Sequence, residues 1–147
     1  MTVAFTLNGR RVRAYAEPQT MLLDVLREEF GLTGPRGTCG VGVCGTCTVL
    51  LDGRTASSCI LMAGLVANRD VTTIEGVAAD DPMVAAFDRH HAYQCGYCIP
   101  GMVLTGKAMA AEGACGGREQ IREGLGGNLC RCGSYGRIID AIEEAGQ

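Results

Sequence analysis

The segment 38-TCGVGVCGTC-47 places three cysteines, three glycines and two valines in ten residues. Sulfurs gathered this closely serve a disulfide knot, a zinc knuckle, or a loop wrapped around something larger than one ion. The rest of the chain bears on the choice. It has 147 residues, 47% apolar and 20% charged, the balance of a globular protein. Its net charge of −3 comes without long runs of one sign, which argues against a nucleic-acid partner. The opening MTVAFTLNGRRVRAY lacks the long apolar core of a secretory signal. No apolar run reaches the roughly 20 residues a membrane-spanning helix needs. The expected address is therefore cytoplasmic, with no membrane insertion. In a reducing compartment disulfides rarely persist, so the nine cysteines are expected to bind metal or do redox work.

With Cys59 the first group becomes Cys39, Cys44, Cys47 and Cys59, spaced C-x4-C-x2-C-x11-C. This is the plant-type spacing for a [2Fe–2S] cluster; zinc knuckles favour pairs of C-x2–4-C instead. The glycines fit the same reading. A cluster is bulky and anionic, and Gly40, Gly42 and Gly45 let the loop take left-handed conformations and approach closely. Their freedom also lets backbone N–H groups point at the sulfurs as an anion-binding nest.

Outward from this loop, Val3–Leu7 alternates as a half-buried strand, Asn8-Gly9 supplies a tight turn, and Arg10–Tyr15 returns. TMLLDVLREEFG reads as a short amphipathic helix capped by Thr20, with Leu22, Leu23, Leu26 and Phe30 on one side and Gly31 as its stop. CTVLLDGRTAS reads as a second hairpin turning at Asp52-Gly53, and Val71–Ile74 as a last strand. Beyond about residue 77 the pattern becomes helical. Asp81-Pro82 opens a helix over Met83–Tyr93, followed by Pro100–Glu112, Glu119–Gly124 and Ile138–Ala145. The fold class is α+β, with an N-terminal domain over 1–76 and a helical domain over 77–147.

The helical half holds Cys95 and Cys98 in QCGYCIPG, then Cys130 and Cys132 in GNLCRCG. By spacing alone this second quartet suits zinc or iron–sulfur equally. Pro100 opens a helix directly after the first pair, which brings free N–H groups and the positive end of the helix dipole near the sulfurs. Arg131 offers positive charge between the second pair, or is simply solvated.

Four motifs in order, GTCGVGVCGTCTVLLDGR, SSC, QCGYCIPGM and GNLCRCGSYGRI, resemble the small iron–sulfur subunit of the xanthine oxidase family of molybdenum hydroxylases. The likeness covers nearly the whole chain and extends to members that oxidise carbon monoxide, quinoline and other N-heterocycles. It implies a ferredoxin-like β-grasp domain followed by a four-helix bundle, each with one [2Fe–2S] cluster. It also implies a large subunit bearing molybdopterin, in a dinucleotide form, that hydroxylates the substrate. Electrons would pass to the helical-domain cluster, then to the β-grasp cluster, then to FAD on a medium subunit or to another acceptor, in a higher hetero-oligomer. By the same resemblance Gln94 and Cys132 match positions that contact the pterin. The chain departs from the family at Thr46, where alanine is common, at Ile99, where threonine is common, and in CRCGSY, where CRCTGY is common. No departure removes a ligand.

Cys115 stands outside both quartets and is expected to be a packed or partly exposed thiol. His90 and His91 diverge by about 100° on a helix and lack ligand spacing. The acid pairs Glu28–Glu29 and Glu143–Glu144 need only solvent. No Ser/His/Asp constellation or phosphate loop is present, so substrate should bind elsewhere. The leading expectation is an electron-transfer subunit. The alternatives are a free-standing two-cluster carrier or redox sensor, and a zinc protein whose quartets only staple small cores.

Overall fold

Strand β1 (Thr2–Leu7) turns its Val3, Phe5 and Leu7 inward, and β2 (Arg10–Tyr15) pairs with it antiparallel, Phe5 opposite Val12. Asn8 and Gly9 both take positive φ, +49° and +80°, as the two-residue turn requires. Asp52 and Gly53 repeat this, at +49° and +81°, between β3 (Thr48–Leu51) and β4 (Arg54–Ser57). Strand β5 (Asp70–Thr72) lies between the hairpins, parallel to β1 and antiparallel to β3, giving the order β2-β1-β5-β3-β4. A computed structural model describes all 147 residues.

The first helix departs from expectation. Helix α1 covers only Leu22–Asp24 and widens into a π-type turn over Val25–Glu29. Thr20 does not cap it. Met21 stands at the N-cap position without a side-chain bond, because Met21 bridges to Met62 and the Thr20 carbonyl accepts from Ala63 N–H. Gly31 does end the segment, at φ +65°. Phe30 packs edge-on against Phe5, with ring centroids 6.0 Å apart. The core under the sheet gathers Phe5, Leu22, Leu26, Val49, Val66 and Val71.

The last strand ends at Thr72, two residues short of the expected Ile74, and the chain turns through a short 3-10 segment, Ile74–Gly76. Four helices follow: α2 (Pro82–Arg89), α3 (Ile99–Ala111), α4 (Arg118–Gly124) and α5 (Tyr135–Ala145). They share a second core of Met83, Phe87, Met102, Ile121, Ile138 and Ile142. Helix α2 stops four residues before Tyr93 because His90 caps it and His91 takes φ +48°. Helix α5 starts three residues before Ile138.

All four residues of β3 are buried, although a surface sheet needs only one covered face. Val49 and Leu51 face the sheet core, while Leu50 packs against Leu104 and Ala108 of α3. These contacts join the halves. A fully buried leucine contributes about 2 kcal/mol, and an apolar seam this small needs the hydrogen bonds described below. No helix is long and apolar enough to cross a membrane.

Asp81 caps α2 as expected, accepting from Met83 N–H at 2.9 Å, and also binds Lys107 of α3 at 2.5 Å. Partial burial pushes its pKa up, but Lys107 and the Met83 N–H outweigh this and hold the carboxyl below its ordinary value. A carboxylate depressed in the folded state stabilises above its unfolded pKa and loses that contribution as pH falls through the folded one. Asp81→Ala should therefore lower unfolding stability by about 1 kcal/mol at neutral pH. The gap from the wild type should close as pH drops below about 4, as read by denaturant unfolding at several pH values.

Candidate iron–sulfur centres

The loop before β3 folds as its glycines suggest. Gly40, Gly42 and Gly45 have φ of +68°, +77° and +74°. The resulting curl aims Val41 N–H and Val43 N–H at the Cys39 sulfur, 3.4 and 3.3 Å away. The N–H of Val41, then those of Cys44 and Val43, lower the Cys39 thiol pKa to about 6. Cys59 arrives from the turn after β4. Burial, then its contact with Cys47, pushes its thiol up to about 11. Within the quartet the thiols meet in pairs, Cys39 with Cys44 and Cys47 with Cys59.

The second quartet forms where two loops face each other. Cys95 and Cys98 precede α3, and Cys130 and Cys132 precede α5. Again the thiols pair, Cys95 with Cys132 and Cys98 with Cys130. Tyr97 N–H, 3.5 Å away, is the main influence lowering the Cys95 pKa. Burial pushes Cys98 up to about 12. It pushes Cys130 up as well, but the N–H of Ser134 and the Cys98 contact outweigh it, and the net shift is downward. Each quartet thus joins a sulfur fed by backbone donors to one whose thiol burial pushes up.

A lone zinc takes its four ligands around a single centre. Four thiols in two facing pairs instead suit a two-iron, two-sulfide cluster, each iron taking a pair. The donor chemistry of both quartets therefore fits [2Fe–2S] groups.

Between the quartets lies a cavity of about 430 Å³, lined by Cys44, Thr46, Cys95, Cys98, Cys130 and Arg131 among others. Its walls are tied across the two halves. Leu129 N–H donates to the Cys44 carbonyl at 2.8 Å, and Asn128 Nδ2 approaches the Gly45 carbonyl at 3.4 Å. Tyr135 Oη accepts from Cys130 N–H at 2.8 Å and donates to the Asn128 carbonyl at 3.1 Å. Arg36 donates to the Gly96 and Tyr97 carbonyls at 2.8 and 2.6 Å and lies over the Tyr97 ring. Sequence reasoning missed Arg36, Asn128 and Tyr135 and noted Thr46 only as a departure from the family. Arg36 and Asn128 reach partners 60 and 83 residues away, beyond what spacing reveals.

Gln94 is exposed, and its Nε2 lies 3.5 Å from the Cys132 carbonyl, so the two residues assigned to the pterin by resemblance are neighbours. Arg131 is exposed beside the cavity. Cys115 is buried in the helical core. His90 and Glu144 pair with each other, and Arg89 also binds Glu144; Glu143 meets Arg118.

Paired sulfur quartets on a small sheet and on a helical unit, held across one cavity, define a two-centre iron–sulfur electron-transfer protein. Comparisons with known proteins agree. The family described as "2Fe-2S iron-sulfur cluster binding domain" matches residues 5–70, and "[2Fe-2S] binding domain" matches residues 73–143. The nicotinate dehydrogenase small FeS subunit of Eubacterium barkeri is 40% identical over 99% of this chain and 94% of its own. The nicotine 6-hydroxylase small subunit of Paenarthrobacter nicotinovorans is 38% identical over 95% of this chain and 86% of its own. In the crystal structure of quinoline 2-oxidoreductase from Pseudomonas putida 86, a chain 41% identical superposes with a TM-score of 0.94, covering 99% of this chain and 92% of that one. The chain belongs to the small iron–sulfur subunits of the xanthine oxidase family of molybdenum hydroxylases. It is an electron-transfer subunit of an oxidoreductase, with two [2Fe–2S]-binding domains and no substrate site of its own.

A Cβ on Gly45 would lie 2.3 Å from the Gly127 carbonyl and 2.6 Å from Asn128 Nδ2, in a left-handed conformation. Gly53 has the same kind of φ but open space around it. Gly53→Ala should cost only the backbone strain, about 1–2 kcal/mol. Gly45→Ala should add about 1–3 kcal/mol of overpacking and lower the bound iron, as measured by thermal unfolding and iron assay.

Proposed function

We propose that Cys39, Cys44, Cys47 and Cys59 hold one [2Fe–2S] cluster and Cys95, Cys98, Cys130 and Cys132 the other. The observation that carries this reading is the aiming of backbone N–H groups at sulfurs of both quartets, onto Cys39, Cys95 and Cys130. When bound, the clusters supply one-electron redox chemistry. The chain's own part is to fix them close together, surround them with backbone donors and keep solvent from the buried sulfurs.

The chain divides into domains at 76/77, the first a β-grasp unit and the second a four-helix bundle; two separate apolar cores support this division. The helical-domain quartet faces a large molybdopterin subunit, with Gln94 and Cys132 toward a pterin in dinucleotide form. Exposed Tyr93, Tyr97 and Leu129 surround that quartet and provide apolar surface for such a contact. The β-grasp quartet serves the exit side, to FAD on a medium subunit or to another acceptor, within a cytoplasmic hetero-oligomer. The relatives named for nicotinate, nicotine and quinoline point to an N-heterocycle as the substrate of the large subunit.

The purified chain should contain about four irons and four acid-labile sulfides and give two distinct paramagnetic signals on reduction. Cys98→Ser should remove one signal and spare most of the other. Equal loss of both, or a colourless zinc protein, would overturn the assignment. Purification from the native host should bring a molybdopterin-bearing partner with the chain.

A further inference from the structure

Thr46 stands between two cysteines of the first quartet, and its side chain is almost fully buried. Its hydroxyl lies 3.2 Å from the Cys44 sulfur, 2.8 Å from the Arg36 carbonyl and 3.0 Å from Thr38 Oγ1. One hydroxyl proton thus faces three partners. The Arg36 carbonyl only accepts. Tyr97 Oη donates to the Gly37 carbonyl, so its 3.2 Å link to Thr38 takes the Thr38 proton and leaves Thr38 Oγ1 an acceptor toward Thr46. A ligating cysteine is a thiolate and has no proton to give. With Cys44 bound to iron, any hydrogen bond between Cys44 and Thr46 is donated by the hydroxyl.

We propose that the Thr46 hydroxyl tunes the reduction potential of the centre that Cys44 helps to hold, turning its proton between the Arg36 carbonyl and the Cys44 sulfur. Reduction adds negative charge to the ligating sulfurs, so donation to Cys44 gains strength in the reduced state. Donation to an anion is stronger than donation to a neutral carbonyl, and hydrogen bonds to ligand sulfurs belong to the levers that set such potentials. No covalent bond forms or breaks. Only the hydroxyl rotates, on a side chain that is almost fully buried. Thr46 is a positioning residue: it acts through the Cys44 sulfur and touches no substrate. The inference rests on the reading of Cys44 as a cluster ligand.

The test is a reductive titration of the full-length, cluster-loaded chain, followed by paramagnetic resonance of each centre. Thr46→Val keeps the shape without the hydroxyl, Thr46→Ala removes the branch, and Thr46→Ser keeps the hydroxyl without the methyl. Valine and alanine should make the first centre about tenfold harder to reduce, a fall of about 59 mV for a one-electron couple. Serine should restore it, and the second centre should move far less. Both signals present with an unshifted first potential, or a serine variant shifted as far as alanine, would overturn the proposal while leaving the ligand assignment intact. Loss of iron from all three variants would make Thr46 a structural strut and overturn it equally. Absence of two [2Fe–2S] signals in the wild type would overturn the ligand assignment itself, and this proposal with it.

Discussion

The tightest constraint in the molecule is a backbone-to-backbone join. The Cys44 carbonyl accepts from Leu129 N–H, and a Cβ on Gly101 would lie 2.3 Å from the Gly45 carbonyl. Cys44 belongs to one quartet, and Leu129 immediately precedes a member of the other. The separation of the two sulfur groups is therefore set by main chain, which has little freedom, rather than by long side chains that change rotamer. Electron tunnelling falls steeply with distance, so a carrier benefits from a gap that cannot breathe. Leu50, Leu104 and Ala108 close the join from the apolar side, and Arg36 holds it from the polar side through the Gly96 and Tyr97 carbonyls.

Features governed by neighbours in the chain were legible in the sequence. Asn8-Gly9 and Asp52-Gly53 made the turns their types demand, Asp81-Pro82 opened α2, and the three loop glycines all took left-handed backbone. Features governed by distant partners were not. Thr20 lost its capping role because Met62 and Ala63 claimed the backbone around it. Helix α5 began early because Tyr135 folds back on Asn128 and Cys130, a contact its sequence neighbours do not advertise. The continuous burial of β3 depended on α3, which lies far along the chain in the other half. At the site, cysteine spacing marked the eight sulfurs, yet the residues around them came from both halves and left no local signature.

The two halves treat their sulfurs alike despite sharing no secondary structure. In the sheet half, N–H groups two and four residues on reach the Cys39 sulfur; in the helical half, Tyr97 and Ser134 do the same for Cys95 and Cys130. The recipe is a loop whose amides turn inward, obtained in one case by repeated glycines. In the other it comes from Gly96, Gly133 and the open N-terminal turns of α3 and α5. Backbone donors make Cys39 and Cys95 easier to ionise than an ordinary thiol, and burial makes Cys59 and Cys98 harder.

The sheet order leaves β2 and β4 with an unpaired flank each. Along β2, Arg10, Arg11 and Arg13 carry positive charge outward, and Arg54 is exposed on β4. Positive charge on a free strand deters a second copy from adding itself there. An isolated chain is thereby guarded from edge-to-edge stacking with its own copies.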